Sequence, residues 1–95
     1  MPTIFVVEDQ SHCEQIGEFG SLTAAWAELR RLSAIPWDTA PNICPCTSWR
    51  TCSRTYEIIE YETDSAPWDE ISRFAGLEVS AAGVAWGPDA TDHAA

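Results

Sequence analysis

Three of the four cysteines, Cys44, Cys46 and Cys52, crowd into one short stretch, with Arg50 and Arg54 set among and after them. Three kinds of chemistry are open to this set. A thiolate is the reactive form of cysteine, and neighbouring cations or a helix N-terminus favour it, so Cys46 and Cys52 beside Arg50 and Arg54 can form a redox pair or a bridge. Cys44 and Cys46 flank Pro45 alone, and a bridge between them would be strained. Zinc takes four nitrogen or sulfur ligands, which Cys44, Cys46 and Cys52 with Cys13 or His12 would supply, but C-x-C-x5-C departs from the usual C-x2-4-C knuckle. The plainest reading makes the thiols small buried hydrophobes that anchor a loop. Trp37 and Trp49 lie in the same loop, and aromatic residues beside arginine are what protein interfaces favour.

Other constellations are thinner. His12 and Cys13 are adjacent, which points their side chains apart in a strand, and His93 lies near the end of the sequence. Serines occur in no G-x-S-x-G context, and no glycine-rich phosphate loop is present. Glu57, Glu60, Glu62, Asp64, Asp69 and Glu70 make an acidic run. It suits a mimic of nucleic-acid phosphates, a cation site on Glu60, Glu62 and Asp64, or simply a solvated strand edge.

The segment Pro41-Asn42, Pro45-Cys46, Trp49, Cys52, Arg54, Tyr56, followed by the stretch Leu77 to Trp86, resembles a group of small uncharacterised bacterial proteins. The likeness spans about Ser21 to Trp86. It brings no activity with it. In that group the position of Cys44 is often a small residue without a thiol, which implies that Cys46 and Cys52 are the natural pair.

The elements that must position these residues follow from pattern. Thr3 to Glu8 is β-branched and aromatic, and Cys13 to Phe19 returns as its hairpin partner. Ser21 caps a helix whose stripe is Leu22, Ala25, Trp26, Leu29 and Leu32, with Arg30 and Arg31 in the last turn and Pro36 beyond it. Residues 36–54 have neither period, and a stretch of that length without regular structure is usually functional or stapled. Thr55 to Glu62 reads as an interior strand. Ser65, Pro67, Asp69 and Glu70 open a second helix with Trp68, Ile71 and Phe74 or Ala75 on its buried stripe and Gly76 at its end. Leu77–Ser80 and Val84–Trp86 form a last hairpin around Gly83. The expected fold is α+β and two-layered: a mostly antiparallel sheet, ββ-α-loop-β-α-ββ, with two helices on one face. Residues 1–87 make the domain and 88–95 a polar tail.

Composition sets the outer limits. A hydrophobic fraction of 45% with five tryptophans supports a folded core. Fifteen acids against five arginines, with no lysine, give a net charge of −10. That field opposes nucleic-acid phosphates and anionic membranes. The opening residues lack the basic and apolar regions of a signal peptide, and no apolar run reaches the length of a membrane span. The cytoplasm is the expected compartment. The sequence therefore predicts a small non-enzymatic interaction or regulatory domain without a cofactor. It binds a protein partner, not nucleic acid or membrane, through Trp37, Cys46, Trp49, Arg50, Cys52 and Arg54 of loop 36–54. A thiol site on the same loop (redox, or zinc on Cys44, Cys46, Cys52 and Cys13) is the alternative, and an acidic nucleic-acid mimic a further one.

Overall fold

β-Branched and aromatic residues set β1 (Thr3–Asp9), and the turn at residues 10–13 returns the chain as β2 (Glu14–Phe19). The structure, a computed structural model, describes residues 2–37, 39–40, 42–43 and 52–90. After β2 comes α1 (Leu22–Ser33), then β3 (Ser53–Glu62), β4 (Asp69–Ser80) and β5 (Gly83–Trp86), with a 3-10 turn at Pro88–Ala90. The strands form one antiparallel sheet in the order β2-β1-β3-β4-β5.

Ser21 caps α1 by accepting a hydrogen bond from Ala24 N–H at 3.1 Å. Ala25, Trp26, Leu29 and Leu32 bury one stripe against Val7, Tyr56, Ile58, Leu77 and Val79 of the sheet. Burying a large apolar side chain is worth about 1.5–3 kcal/mol, whereas a cap contributes about 0.5–2 kcal/mol. Packing therefore holds α1 in place, and the cap sets where it starts. At its far end, Asn42 Nδ2 donates to the carbonyls of Leu32 (2.9 Å) and Ile35 (2.8 Å), and Tyr56 OH donates to Asn42 Oδ1 at 2.7 Å. A buried asparagine thus ties the helix end to the central strand.

On the opposite face Val6 and Ile59 pair across β1 and β3 and are also buried. Arg73 is paired with Ile59 and bridges to Glu57 (2.7 Å) and Glu70 (2.8 Å). The hydrocarbon stem of an arginine held in this way covers neighbouring apolar surface.

The expected second helix is absent. Residues 69–80 are strand β4, so among the described residues one helix, not two, packs on the sheet. The stripe expected for that helix, Trp68, Ile71 and Phe74 or Ala75, falls instead on a loop and an irregular strand. Register shifts in the β3–β4 ladder fall between Tyr56 and Glu57 and between Glu60 and Tyr61. Each bulge adds a residue to a period of two, so same-face positions recur at an interval of three. Phe74 opposite Ile58 and Leu77 opposite Tyr56 share the helix-bearing face by this means. Ile71 lies at the other bulge and is 48% exposed, and Trp68 is 40% exposed. Ser65 does not cap a helix: its hydroxyl donates to Glu62 Oε2 at 3.1 Å. Gly76 ends no helix either; it lies within β4, where an added Cβ would sit 2.4 Å from Leu29 Cδ1.

The β4–β5 hairpin expected over Leu77–Trp86 is present, with Gly83 at a φ of 119°. Trp86, at the end of this hairpin, is 37% exposed. Past residue 87, Ala90 is buried and Asp89 Oδ2 accepts from Ala75 N–H at 2.8 Å.

Candidate thiol site

The hairpin turn between β1 and β2 is built on Asp9. Asp9 is buried at the end of β1, opposite Tyr56 of β3. Its Oδ1 accepts from the N–H groups of Ser11 (3.1 Å) and Thr55 (3.0 Å). The first of these closes an Asx turn, in which a side chain takes the place of a backbone acceptor. Gln10 N–H donates to Thr55 O at 2.8 Å, and the Ser11 and Thr55 hydroxyls meet at 2.9 Å. The turn is thereby fastened to the start of β3.

Asp9 Oδ2 faces two further groups, His12 Nδ1 at 2.6 Å and Arg54 Nη1 at 3.2 Å. Arg54 is buried and also reaches Glu14 Oε1 at 2.7 Å and Ile43 O at 2.9 Å. Burial alone would pull its guanidinium down. The hydrogen bond to Glu14 and the charges of Tyr56, Glu14 and Asp9 outweigh that effect and hold it above its ordinary value. Beside it, burial pushes the Tyr56 phenol up to about 12, and the Arg54 charge offsets only part of that rise.

The remaining ring nitrogen of the histidine completes the site. His12 Nε2 lies 3.3 Å from Cys52 Sγ, across forty residues of sequence. The His12 side chain is 20% exposed and Cys52 is partly buried. With a carboxylate on Nδ1, that nitrogen is the donor, and Nε2 is turned to the sulfur. Asp9, His12 and Cys52 therefore stand in the order acid, base, nucleophile, the arrangement by which an imidazole takes a proton from a thiol and the carboxylate orients the ring.

Of the residues singled out from sequence, the structure brings Cys52 and Arg54 together around Asp9. Trp37 instead packs against the core cluster. Cys44, Cys46, Trp49 and Arg50 lie outside the described residues, and the interface reading of the loop leans on three of these four. Cys13 is exposed at a φ of 53°. Among the described residues no three histidine, cysteine or acidic side chains gather to hold a metal. Of the acidic run, Glu57, Glu60 and Glu62 are spread over both faces of β3, a central strand rather than an edge, Asp64 follows it, and Asp69 and Glu70 begin β4. Glu57 is bound to Arg73, Glu60 to Ser72, and Glu62 to Ser65 and Asp64 N–H. A cavity of about 230 Å³ opens on β3, β4 and β5, and none of Asp9, His12 or Cys52 lines it.

Sequence reasoning missed Asp9 and the tie from His12 to Cys52. Its signal was an aspartate three residues before a histidine in a hairpin turn, the spacing that lets one carboxylate close the turn and hold the ring. Compared with protein-family models, with curated proteins and with solved structures, the chain matches none. No helix among the described residues is long and apolar enough to cross a membrane.

Proposed function

We propose that this is a thiol protein whose working group is Cys52, activated by His12 and Asp9 for thiol–disulfide exchange. The observation that carries this reading is the 3.3 Å approach of His12 Nε2 to Cys52 Sγ, with Nδ1 held at 2.6 Å by a buried carboxylate. A thiol next to a protonated imidazole is favoured as thiolate, the form that attacks disulfides.

The reaction runs in two balanced steps. His12 Nε2 takes the Cys52 proton, and the thiolate attacks one sulfur of a disulfide. The S–S bond of the substrate breaks, a Cys52 mixed disulfide forms, and the leaving thiolate takes the proton back from His12. A second thiol of the chain then attacks Cys52 Sγ and releases the other half of the substrate as a thiol. Cys46, six residues before Cys52 in sequence, is that resolving residue. The substrate is reduced by two electrons and the protein is left with a Cys46–Cys52 bridge. In a reducing compartment such as the cytoplasm, the thiol pool returns the protein to its starting state.

Arg54 and Asp9 contribute by position. The salt bridge and backbone bonds around them fix the ring and the start of β3, so that sulfur and nitrogen meet without a search. The test is mass spectrometry of the reduced protein after exposure to hydroxyethyl disulfide. A mixed disulfide at Cys52 that converts to a Cys46–Cys52 bridge is expected, and Cys46→Ser should arrest the mixed form. Adducts spread equally over all four thiols would overturn the reading.

A further inference from the structure

The two edges of the sheet are built differently. β2 carries Glu14, Gln15 and Glu18, and Ile16 is an extra residue bulged between the partners of Val7 and Glu8. Charges and bulges of this kind blunt an edge against pairing with another chain. β5 has neither. Gly83, Val84, Ala85 and Trp86 are uncharged, pair without a register shift and are all exposed.

The phase of its ladder shows which backbone groups are unused. Gly87 N–H donates to Gly76 O at 2.7 Å, and the register pairs Leu77 with Trp86. Hydrogen-bonded pairs alternate in an antiparallel ladder, so Gly83, Ala85 and Gly87 are the residues that bond to β4. The N–H and C=O groups of Val84 and Trp86 point away from the sheet, and among the described residues they meet no partner.

Side chains divide in the same way. Val84 and Trp86 present apolar surface on one face, 43% and 37% exposed. On the other face Ala85 borders the 230 Å³ cavity, with Thr55, Glu57, Ala75 and Glu78. Glu57 is already paired with Arg73, whereas the Glu78 side chain has no hydrogen bond or ion pair among the described residues.

We infer that the β5 edge receives an extended peptide segment of alternating apolar and basic residues, which adds to the sheet as a further strand. The four outward backbone groups supply main-chain bonds, as in other cases of strand addition. Apolar side chains of the peptide lie on Val84 and Trp86. Its lysines or arginines turn to the cavity face, where an added strand lies roughly 9–10 Å from β4, within the joint reach of a basic side chain and Glu78. The charge of −10 draws a cationic segment in and repels a second copy of the chain.

The test is a titration of the full chain with a blocked synthetic hexapeptide alternating lysine and valine, followed by amide hydrogen exchange and chemical shifts. The Val84 and Trp86 amides are expected to gain protection, and the glutamate–valine counterpart to leave them unchanged. Val84→Pro removes an outward N–H but no ladder bond, and should abolish binding. Glu78→Gln should weaken it about two- to fivefold, the range of an exposed ion pair, and keeps the test decisive if the proline variant does not fold. Shifts confined to another surface, equal binding of both peptides, or unchanged affinity in Glu78→Gln would overturn the proposal. So would protection of Val84 and Trp86 that rises with protein concentration alone, which would make a second copy the occupant.

Discussion

A buried carboxylate that satisfies four donors orders everything around it, and Asp9 does this for a turn, a strand start, a histidine and an arginine. Removing one partner of a buried ion pair costs about 3–5 kcal/mol because the other charge is left uncompensated. Arg54→Met should fall near the lower end, about 3 kcal/mol by urea unfolding, because Glu14, the second partner, is half exposed and can turn to water. Tyr56 allows a test by pH. Its phenol is raised to about 12 in the fold, above about 10 in the unfolded chain. The native state therefore holds that proton more tightly. The resulting stability is intact below pH 10 and is lost as pH rises through 12. At about 1.4 kcal/mol per unit, the loss is roughly 2–3 kcal/mol. Tyr56→Phe starts lower, because Asn42 Oδ1 loses its donor, but its stability should stay flatter over that window. Equal slopes in the two proteins would show that the phenol does not titrate where burial places it. The residue scale is also where the sequence was least transparent. Cys52 and Arg54 stand out by type and spacing, but the histidine that meets the sulfur lies forty residues away. No local rule connects a turn histidine to a distant thiol; only the pairing of β1 with β3 does.

Elements were legible where one period prevailed. Ser21 followed by Ala25, Trp26, Leu29 and Leu32 gave α1 its cap and its stripe, and Gly83 marked the last hairpin. β4 was misread because bulges at Ile71 and Gly76 break its alternation, and the apolar Ile71 and Phe74 then stand three apart, the spacing that also marks a helix. Gly76 has a role that a helix end would not give it. Leu29 of α1 packs against its bare Cα, and Tyr56 O lies 3.0 Å from where a Cβ would stand. Gly76→Ala should cost about 1–3 kcal/mol through overpacking, measured by thermal unfolding. If Gly76 ended a helix instead, alanine there would have no Leu29 side chain to displace and the loss would not depend on residue 29. The double variant Gly76→Ala with Leu29→Ala separates the two cases, since only direct contact makes the two effects non-additive.

The whole molecule is an acidic sheet with its thiol at one end of the central strands and an open strand at one edge. Its charge acts on both. A field of −10 slows approach of anionic disulfides and leaves neutral ones unaffected. Oxidised glutathione should therefore react with Cys52 more slowly than hydroxyethyl disulfide at low salt, and the gap should narrow as screening shortens toward the Debye length of about 8 Å at physiological ionic strength. A ratio independent of salt would place the rate limit in local access to the sulfur.

The most direct probe of the relay is the rate at which iodoacetamide alkylates Cys52 across neutral pH, read by peptide mass in the unaltered protein and in His12→Gln. An ordinary thiol is only a few per cent thiolate at pH 7. Loss of the imidazole should therefore slow Cys52 about tenfold at neutral pH and make its rate climb with pH as a free cysteine's does. Superimposable rate profiles, with both proteins folded, would mean that His12 touches the sulfur without activating it.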